Sequence, residues 1–395
     1  MGVFRTAEGR EKVRARYNEI LSQFPVEKRY VDTPQGRTFL LDAGPKGAPA
    51  VVLLHGSCAN TAFWLGDVFP LAAHFRVLAL DIPGEPGNSD ENRFDFGTDA
   101  CVSWLDSVLD ALGVTRAALI GNSFGGWMAL KYAISRPERV AKLVSVVPAG
   151  VVPPSALFKS ESLKNRMEVK EGREQISGAI TTDAALPEPV AEYLRMIGEN
   201  FLPMTEALPV FSNDALMTLS MPAHFVFAER DATMDARAAL KRIQSLLPRA
   251  EARLLEGQGH VVMNIAEIAL PFLLTPPELT LVERDSVNVA LIDRWARVTN
   301  PQALLDAMAT AGYLGAGAMV AYAESLGEEF FDLKTRIAGE MLQKFSNYRT
   351  RFAIIGDFSN VQSRSLQDFI RESNDGRTVC FVGSLEEALL RLSAR

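Results

Sequence analysis

A serine with a glycine two positions to either side has the clearest chemical meaning in this sequence. It lies in Gly121–Gly125 (Gly-Asn-Ser-Phe-Gly), after the apolar run Ala117–Ile120 and before a predicted helix. On such a strand-to-helix turn the serine is exposed, the glycines let strand and helix approach, and helix amide groups face developing negative charge. The pattern is short enough to arise by chance. Its setting nevertheless predicts that Ser123 is a nucleophile rather than a small residue in a tight turn.

A nucleophilic serine needs a general base, and the chain has four histidines. His260 lies in a glycine-rich loop after a predicted strand, from which a base can reach the serine. His55 ends another strand, and we expect His74 and His224 to be solvated residues at strand edges. His260 is therefore the predicted base, against the alternative of a structural histidine.

An acid that orients this base should lie between the serine and the histidine in chain order. Asp231 follows the predicted strand Phe225–Ala228 and is the first choice. Asp235 is the alternative, although its position indicates the N-cap of the next helix. Asp81 precedes the serine, and we expect it to hold the turn Pro83–Ser89 instead.

Two backbone amides are expected to stabilise an oxyanion: that of Phe124, which follows the serine, and that of Ser57, near the end of an apolar strand. Cys58 is next to Ser57, but a cysteine nucleophile would have to occupy the turn itself, so we expect it to pack. Large apolar side chains are candidates for substrate binding, with plain packing as the alternative. They are Trp64, Trp127, Phe158, Met167, Met196, Phe201 and Met204.

The elements around these residues alternate between apolar runs and helical patterns. A predicted helix (Ala7–Phe24) and a predicted hairpin (Lys28–Asp32 and Arg37–Asp42) come first. The apolar runs are Ala50–Leu54, Val77–Leu80, Ala117–Ile120, Leu143–Val147, Phe225–Ala228 and Ala252–Leu255, and the helices among them are Cys101–Leu112, Trp127–Ser135 and Asp235–Leu247. Such runs are typical of strands covered on both faces, so we predict an α/β fold with a largely parallel sheet. The long interval at about residues 150–222 is expected to form a cap over the carboxyl edge of that sheet.

A second domain is predicted after the proline pair in Thr275–Glu278, because proline pairs often mark linkers. We place the boundary between residues 276 and 277, after the helix Asn264–Leu274. Residues 277–395 then restart with their own strands and helices, among them a predicted helix at Phe331–Phe345, as a smaller α/β domain would. We find no catalytic residues in this domain and expect a regulatory or docking role.

Composition excludes several classes of function. The net charge of −7, from 41 basic and 48 acidic residues, disfavours nucleic-acid binding. The three cysteines, Cys58, Cys101 and Cys380, fit neither a disulfide framework nor a zinc site, and no histidine pair has ligand spacing, so we expect no metal or other cofactor. The chain has neither a membrane-spanning apolar run nor a signal-peptide core. We therefore expect a cytoplasmic protein without a membrane partner, and we attribute the match of its first residues to the loose myristoylation pattern to chance.

Residues up to about 274 resemble the α/β-hydrolase superfamily, and in particular capped bacterial carboxylesterases with a helix before the first strand. The resemblance is carried by His55-Gly56, Asp81–Gly84 with Gly87–Ser89, the turn at Ser123, Asp231 and Gly259-His260. One departure is Glu85-Pro86, which lengthens the turn after Asp81 by one residue and affects the expected pocket rim. The last third resembles a small bacterial domain of unknown function. That match lies in Phe330–Thr335, Gln343–Tyr348, Phe352–Phe358 and Asp368–Ile370, and the strand and helix order is more loosely similar to anti-sigma-factor-antagonist domains.

Together these features predict a serine hydrolase that cleaves a small-molecule carboxylic ester through an acyl-enzyme. A lactonase or thioesterase would use the same residues, whereas a dehalogenase would need an acid at position 123. A ligand sensor that signals through the C-terminal domain is the alternative from another class. In either case a protein partner or a dimer through that domain is expected.

Overall fold

The computed structural model describes residues 2–159, 167, 170–181, 186–274, 279–294, 296, 298–359 and 361–393. The chain divides into two compact units. The first comprises Met1–Gly44 and Ala50–Leu273, and the second comprises Pro45–Pro49 and Leu274–Arg395. The predicted linker at residues 275–278, with the boundary after residue 276, lies outside the described residues.

The first unit contains an eight-stranded sheet in the order β1-β2-β4-β3-β5-β6-β7-β8. The strands are β1 (Glu27–Thr33), β2 (Gly36–Ala43), β3 (Ala50–Leu54), β4 (Arg76–Leu80), β5 (Ala117–Asn122), β6 (Val140–Val146), β7 (Ala223–Ala228) and β8 (Glu251–Leu255). β1 and β2 form the predicted hairpin, and β2 also pairs antiparallel with β4. The pairs from β4 through β3, β5, β6 and β7 to β8 are parallel. The predicted α/β class with a largely parallel sheet is confirmed.

Helices cover both faces of this sheet. They are α1 (Ala7–Ser22), α2 (Leu65–Ala72), α3 (Ala100–Ala111), α4 (Phe124–Ser135), α5 (Lys170–Thr181), α6 (Glu188–Asn200), α7 (Asn213–Met217), α8 (Ala236–Leu246) and α9 (Ile265–Leu274), with 3-10 turns at Thr61–Trp64, Pro137–Arg139 and Ala156–Phe158. Strands β3, β5, β6 and β7 are buried along their whole length, which explains why they read as continuous apolar runs. The segment of residues 150–222, here called the cap, supplies α5, α6 and α7.

The second unit has its own sheet, in the order β13-β12-β11-β10-β9. Its strands are β9 (Thr280–Arg284), β10 (Val287–Leu291), β11 (Ala318–Tyr322), β12 (Arg351–Ile355) and β13 (Val379–Val382). β9 and β10 form a hairpin through Asp285 and Ser286, both with positive φ, and the remaining pairs are parallel. This arrangement agrees with the prediction of a smaller α/β domain.

Helices pack on both faces of the second sheet as well. They are α10 (Pro301–Tyr313), α11 (Ala323–Leu326), α12 (Glu328–Phe331), α13 (Ile337–Tyr348), α14 (Arg364–Asp375) and α15 (Leu385–Ser393), with a 3-10 turn at Leu333–Thr335. One apolar cluster includes Phe345 of α13, stacked on Phe352 of β12 at 4.0 Å, and a second includes Leu389 of α15. The second unit therefore has a core of its own on each face of its sheet.

The prediction of a single helix at Phe331–Phe345 is wrong. The structure breaks it into α12, a 3-10 turn and α13, because Arg336 adopts a left-handed conformation with φ +64°. An α-helix cannot continue through such a residue. Among the described residues no helix is long and apolar enough to cross a membrane.

Candidate active site

Ser123 occupies a tight turn between the end of β5 and the start of α4. Its backbone angles, φ +53° and ψ −110°, lie outside the conformations that a serine prefers. The flanking glycines have a steric reason: a Cβ at Gly121 would lie 2.3 Å from the Gly125 carbonyl oxygen. A Cβ at Gly125 would lie 2.1 Å from the carbonyl oxygen of Leu54. Only glycine at both positions lets α4 start this close to β3 and β5.

A chain of hydrogen bonds connects the three residues predicted to form the catalytic triad. The Ser123 Oγ lies 3.0 Å from Nε2 of His260. The other ring nitrogen, Nδ1, lies 2.9 Å from both carboxylate oxygens of Asp231. These residues follow β5, β8 and β7 respectively, and His260 and Asp231 are 9% and 8% exposed. The arrangement has the geometry that lets a serine pass its proton to an imidazole held by a carboxylate.

Thr233 belongs to this site, although the sequence analysis missed it. Its backbone N–H and its hydroxyl each donate to Asp231 Oδ1 at 2.7 Å, and the hydroxyl oxygen lies 3.3 Å from His260 Nδ1. The signal in the sequence was the Asp-x-Thr spacing, which favours such a local turn. Asp235, the alternative acid, caps α8 by accepting from the Ala238 amide at 2.9 Å, as predicted.

Two backbone amides near the serine have no hydrogen-bond acceptor among the residues that the structure describes. Phe124 is the first residue of α4, so its N–H has no partner within the helix. Ser57 follows the end of β3, next to Gly56, and a Cβ at Gly56 would lie 3.5 Å from the Ser123 Cβ. Within the described part of the chain, neither the Ser57 nor the Phe124 amide donates a hydrogen bond. Their role as oxyanion donors stays a prediction that this geometry permits.

Models of two protein families match the chain. The model described as "alpha/beta hydrolase fold" matches residues 49–185, and the "Domain of unknown function (DUF4180)" matches residues 284–392. Carboxylesterase YbfK of Bacillus subtilis (strain 168) is 29% identical over 263 residues, which cover 62% of this chain and 86% of that protein. The first unit has the α/β-hydrolase fold, and residues 284–392 match the DUF4180 domain. The predicted capped hydrolase and the separate C-terminal domain are thereby confirmed.

Solved structures agree with this family assignment for the first two-thirds of the α/β-hydrolase chain. The crystal structure of carboxylesterase CesB (YbfK) from Bacillus subtilis has a TM-score of 0.62 at 27% identity, and covers 68% of this chain and 99% of its own. Naproxen esterase from Bacillus subtilis has a TM-score of 0.61 at 24% identity with the same coverage. The second likeness shows the fold alone.

His55 of the hydrolase has a structural role. It is fully buried, its Nδ1 hydrogen-bonds to the Gly56 carbonyl oxygen at 2.8 Å, and its Nε2 accepts from the Ile82 amide at 3.0 Å. Burial lowers the pKa of His55 to about 4, so the ring is neutral and Nδ1 carries its proton. This histidine thus connects the loop after β3 to the loop after β4.

His224 corrects a prediction. We expected a solvated strand-edge residue, but the side chain is buried, because the ring of Phe272 packs on it at 5.4 Å. Burial lowers the pKa of His224, against a weaker opposing effect of Glu251. The buried His224 lies at the start of β7, whereas Asp231 follows the end of that strand, so His224 has no part in the site.

Asp81 holds the turn after β4, as predicted. Its carboxylate accepts from the Asn88 and Thr61 amides at 2.8 Å each and from the Tyr17 hydroxyl at 2.9 Å. Burial raises the pKa of Asp81 to about 6 against the effect of these hydrogen bonds. Since Tyr17 belongs to α1, the N-terminal helix is joined to the same loops that approach the serine.

The cap contacts these loops through Asn60. Its Nδ2 donates to the Tyr193 hydroxyl of α6 at 2.7 Å and to the Pro86 carbonyl oxygen at 2.8 Å. Neither Asn60 nor Tyr193 was singled out from the sequence, because their contact joins residues far apart in the chain.

Two predicted substrate-binding residues pack in the core instead. Trp64 and Trp127 are 0% and 1% exposed. Trp127 donates from Nε1 to the Pro209 carbonyl oxygen at 2.9 Å and stacks on Phe211 with ring centroids 5.6 Å apart. Because both indoles are buried, neither lines an open pocket for substrate.

The described residues contain no group of three or more histidine, cysteine or acidic side chains that could hold a metal ion. Cys58, Cys101 and Cys380 are free thiols.

Proposed function

We propose that the hydrolase cleaves small carboxylic esters through an acyl-enzyme, with Ser123 as nucleophile, His260 as base and Asp231 as the orienting acid. The observation that carries this proposal is the hydrogen-bonded chain from Ser123 Oγ through the imidazole to the carboxylate, with distances of 3.0 Å and 2.9 Å. A catalytic serine needs a base within about 2.6–3.2 Å, and the base needs a group that fixes its orientation.

The likeness to carboxylesterase YbfK supplies the reaction class. The chain is accordingly a carboxylic ester hydrolase, and the triad gives this class its mechanism. The geometry adds two features that suit acyl transfer: the strained turn that presents the serine and the two unpaired amides beside it.

In the proposed reaction the Ser123 Oγ attacks the ester carbonyl carbon while its proton moves to His260 Nε2. The carbonyl oxygen becomes an oxyanion that accepts from the Ser57 and Phe124 amides. His260 then donates the proton to the departing alkoxide, which leaves as the alcohol. A water molecule repeats the sequence on the acyl-enzyme: its proton moves to His260, its oxygen joins the acyl carbon, and the proton returns to Ser123 as the acid departs.

The test is Ser123→Ala in the full chain, assayed with p-nitrophenyl butyrate. We expect kcat to fall by about three orders of magnitude or more, to the background that remains when a triad nucleophile is removed. Wild-type protein should gain one phosphonyl adduct from a fluorophosphonate probe, as the serine oxygen displaces fluoride from phosphorus, and peptide mass spectrometry should locate it at Ser123.

Ser22→Ala, at an exposed position on α1, is the matched control and should keep full activity. A folded Ser123→Ala protein that retains more than about a tenth of the kcat would contradict the assignment. A parallel panel of lactones and thioesters distinguishes the ester from other acyl substrates of the same triad.

A further inference from the structure

The turn after β4 contains a buried carboxyl group that the triad does not use. Glu85, in the lengthened part of this turn, is 4% exposed. Its Oε2 accepts from the Cys58 amide at 2.6 Å. A glutamate is rarely buried this fully without a specific partner, and here the partner is the loop that carries the predicted oxyanion amide.

Cys58 has a backbone conformation that needs support. Its φ of +58° lies in the left-handed region, which is unfavourable for residues other than glycine. The hydrogen bond from its N–H to Glu85 stabilises this conformation. Without that acceptor, the Cys58 amide would lose its hydrogen bond and the residue could relax to a more favourable backbone conformation.

The peptide groups on both sides of Ser57 are therefore fixed. The preceding one is held by His55, whose Nδ1 bonds to the Gly56 carbonyl oxygen, and the following one is held by Glu85 through the Cys58 N–H. In a trans peptide the N–H points away from the carbonyl oxygen of the same group. The bond from His55 to Gly56 therefore leaves the Ser57 N–H on the opposite side, unpaired, in the loop beside Ser123.

We propose that Glu85 is a positioning residue of the oxyanion hole, whose carboxyl group fixes the Ser57–Cys58 peptide and through it the Ser57 amide. This inference rests on the proposed function, because it assigns a support to the oxyanion site of the same reaction. Glu85 acts through the loop and not on the substrate.

The charge of Glu85 matters as well as its position. Burial raises the pKa of Glu85 to about 8, against weaker opposing effects of the Cys58 amide, Arg93 and the Ser57 hydroxyl. The groups around it are the Cys58 thiol from the β3 loop and Arg93 from its own loop. Arg14 of α1 donates to the Gly87 carbonyl oxygen of the same turn, and the Tyr193 hydroxyl of α6 accepts from Asn60, which also donates to the Pro86 carbonyl oxygen.

Below pH about 8 the carboxyl group is neutral and leaves the oxyanion undisturbed. Above that pH a carboxylate beside the oxyanion loop repels the negative charge that develops on the substrate. The wild-type kcat should therefore decline on the alkaline side.

The experiment compares Glu85→Gln and Glu85→Ala with wild type in the full chain, using p-nitrophenyl butyrate across neutral and alkaline pH with the spontaneous rate subtracted. The glutamine keeps an acceptor oxygen but cannot ionise, so its neutral kcat should stay within about threefold of wild type and the alkaline decline should disappear. The alanine lacks the acceptor, so kcat should fall by about tenfold to a hundredfold with KM changed by less than about threefold.

Glu91→Gln is the matched control. Glu91 follows the same turn, pairs with Arg10 and Arg14, and should keep the wild-type profile. An alkaline decline that persists in Glu85→Gln, or an alanine variant with wild-type kcat, overturns the inference and leaves the triad proposal intact. If Glu85→Ala does not fold, the profile of Glu85→Gln decides alone. Absence of ester hydrolysis in wild type refutes the proposed function and the inference with it.

Discussion

Replacement of Asp231 by asparagine should move the proton of the neutral His260 imidazole from Nδ1 to Nε2. Thr233 donates two hydrogen bonds to Asp231 Oδ1, from its N–H and its hydroxyl. In Asp231→Asn the amide oxygen must occupy that position, since an NH₂ group there would face two donors. The NH₂ group then lies where Oδ2 was, 2.9 Å from His260 Nδ1, and donates to it.

An imidazole that accepts at Nδ1 carries its proton on Nε2, the atom that faces Ser123 Oγ at 3.0 Å. It can no longer take the serine proton. The loss of the correct tautomer in a serine-histidine-aspartate triad costs about 10⁴-fold in kcat, which is about 5 kcal/mol of transition-state stabilisation. We expect a loss of this order, with little change in KM because substrate binding does not depend on the tautomer.

The assay is steady-state hydrolysis of p-nitrophenyl butyrate at neutral pH, with circular dichroism to verify folding. Asp235→Ala is the matched control: it removes the cap of α8, so it should cost about 1 kcal/mol of stability and leave kcat unchanged. If Asp231→Asn keeps more than about a tenth of the kcat, or if Asp235→Ala loses it, the assignment of the acid is refuted.

The remaining predictions concern the turn at the nucleophile and the division of the chain. Gly125→Ala places a methyl group 2.1 Å from the Leu54 carbonyl oxygen, so it should lower the free energy of unfolding by about 3 kcal/mol or more in urea titrations. Gly339 lies inside α13, where an added methyl group meets no atom within 4 Å outside its own stretch of the helix. Gly339→Ala should therefore raise the free energy of unfolding by about 0.5–1 kcal/mol. Equal effects of the two changes would contradict the steric explanation. A chain truncated after residue 276 should stay soluble and keep most of the kcat, and residues 277–395 should fold alone without activity, as circular dichroism and ester turnover can show. A folded but inactive truncated chain would favour the ligand-sensor interpretation.

The sheet and the residues of the proposed triad could largely be predicted from the sequence, for a physical reason. Parallel strands covered on both faces need apolar residues at nearly every position. β3, β5 and β7 can therefore be recognised in the sequence without knowing which strands they pair with. The turn at Ser123 can be recognised because its steric requirement for glycine falls on positions only two residues from the serine.

The supports that Glu85 and Asn60 give to the site could not be predicted, because each depends on a contact between distant segments. The bond between Glu85 and Cys58 spans 27 positions, and the bond from Asn60 to Tyr193 spans 133. No local pattern encodes such a contact. The choice between substrate binding and plain packing for Trp127 stayed open for the same reason: the helical pattern shows an apolar face but not which segment covers it.

The hydrogen bonds of the proposed triad span long stretches of chain: Ser123 and His260 are 137 residues apart, and His260 and Asp231 are 29 apart. Each residue follows a different strand, so the distances between them are set only when β5, β7 and β8 have all paired through β6. Contacts of such large sequence separation form slowly, because loop closure must precede them. During refolding, the recovery of ester turnover should therefore lag behind the recovery of helical signal. An incompletely folded chain would not hydrolyse the ester. The recovery of enzyme activity would therefore report when the sheet of the first unit is complete.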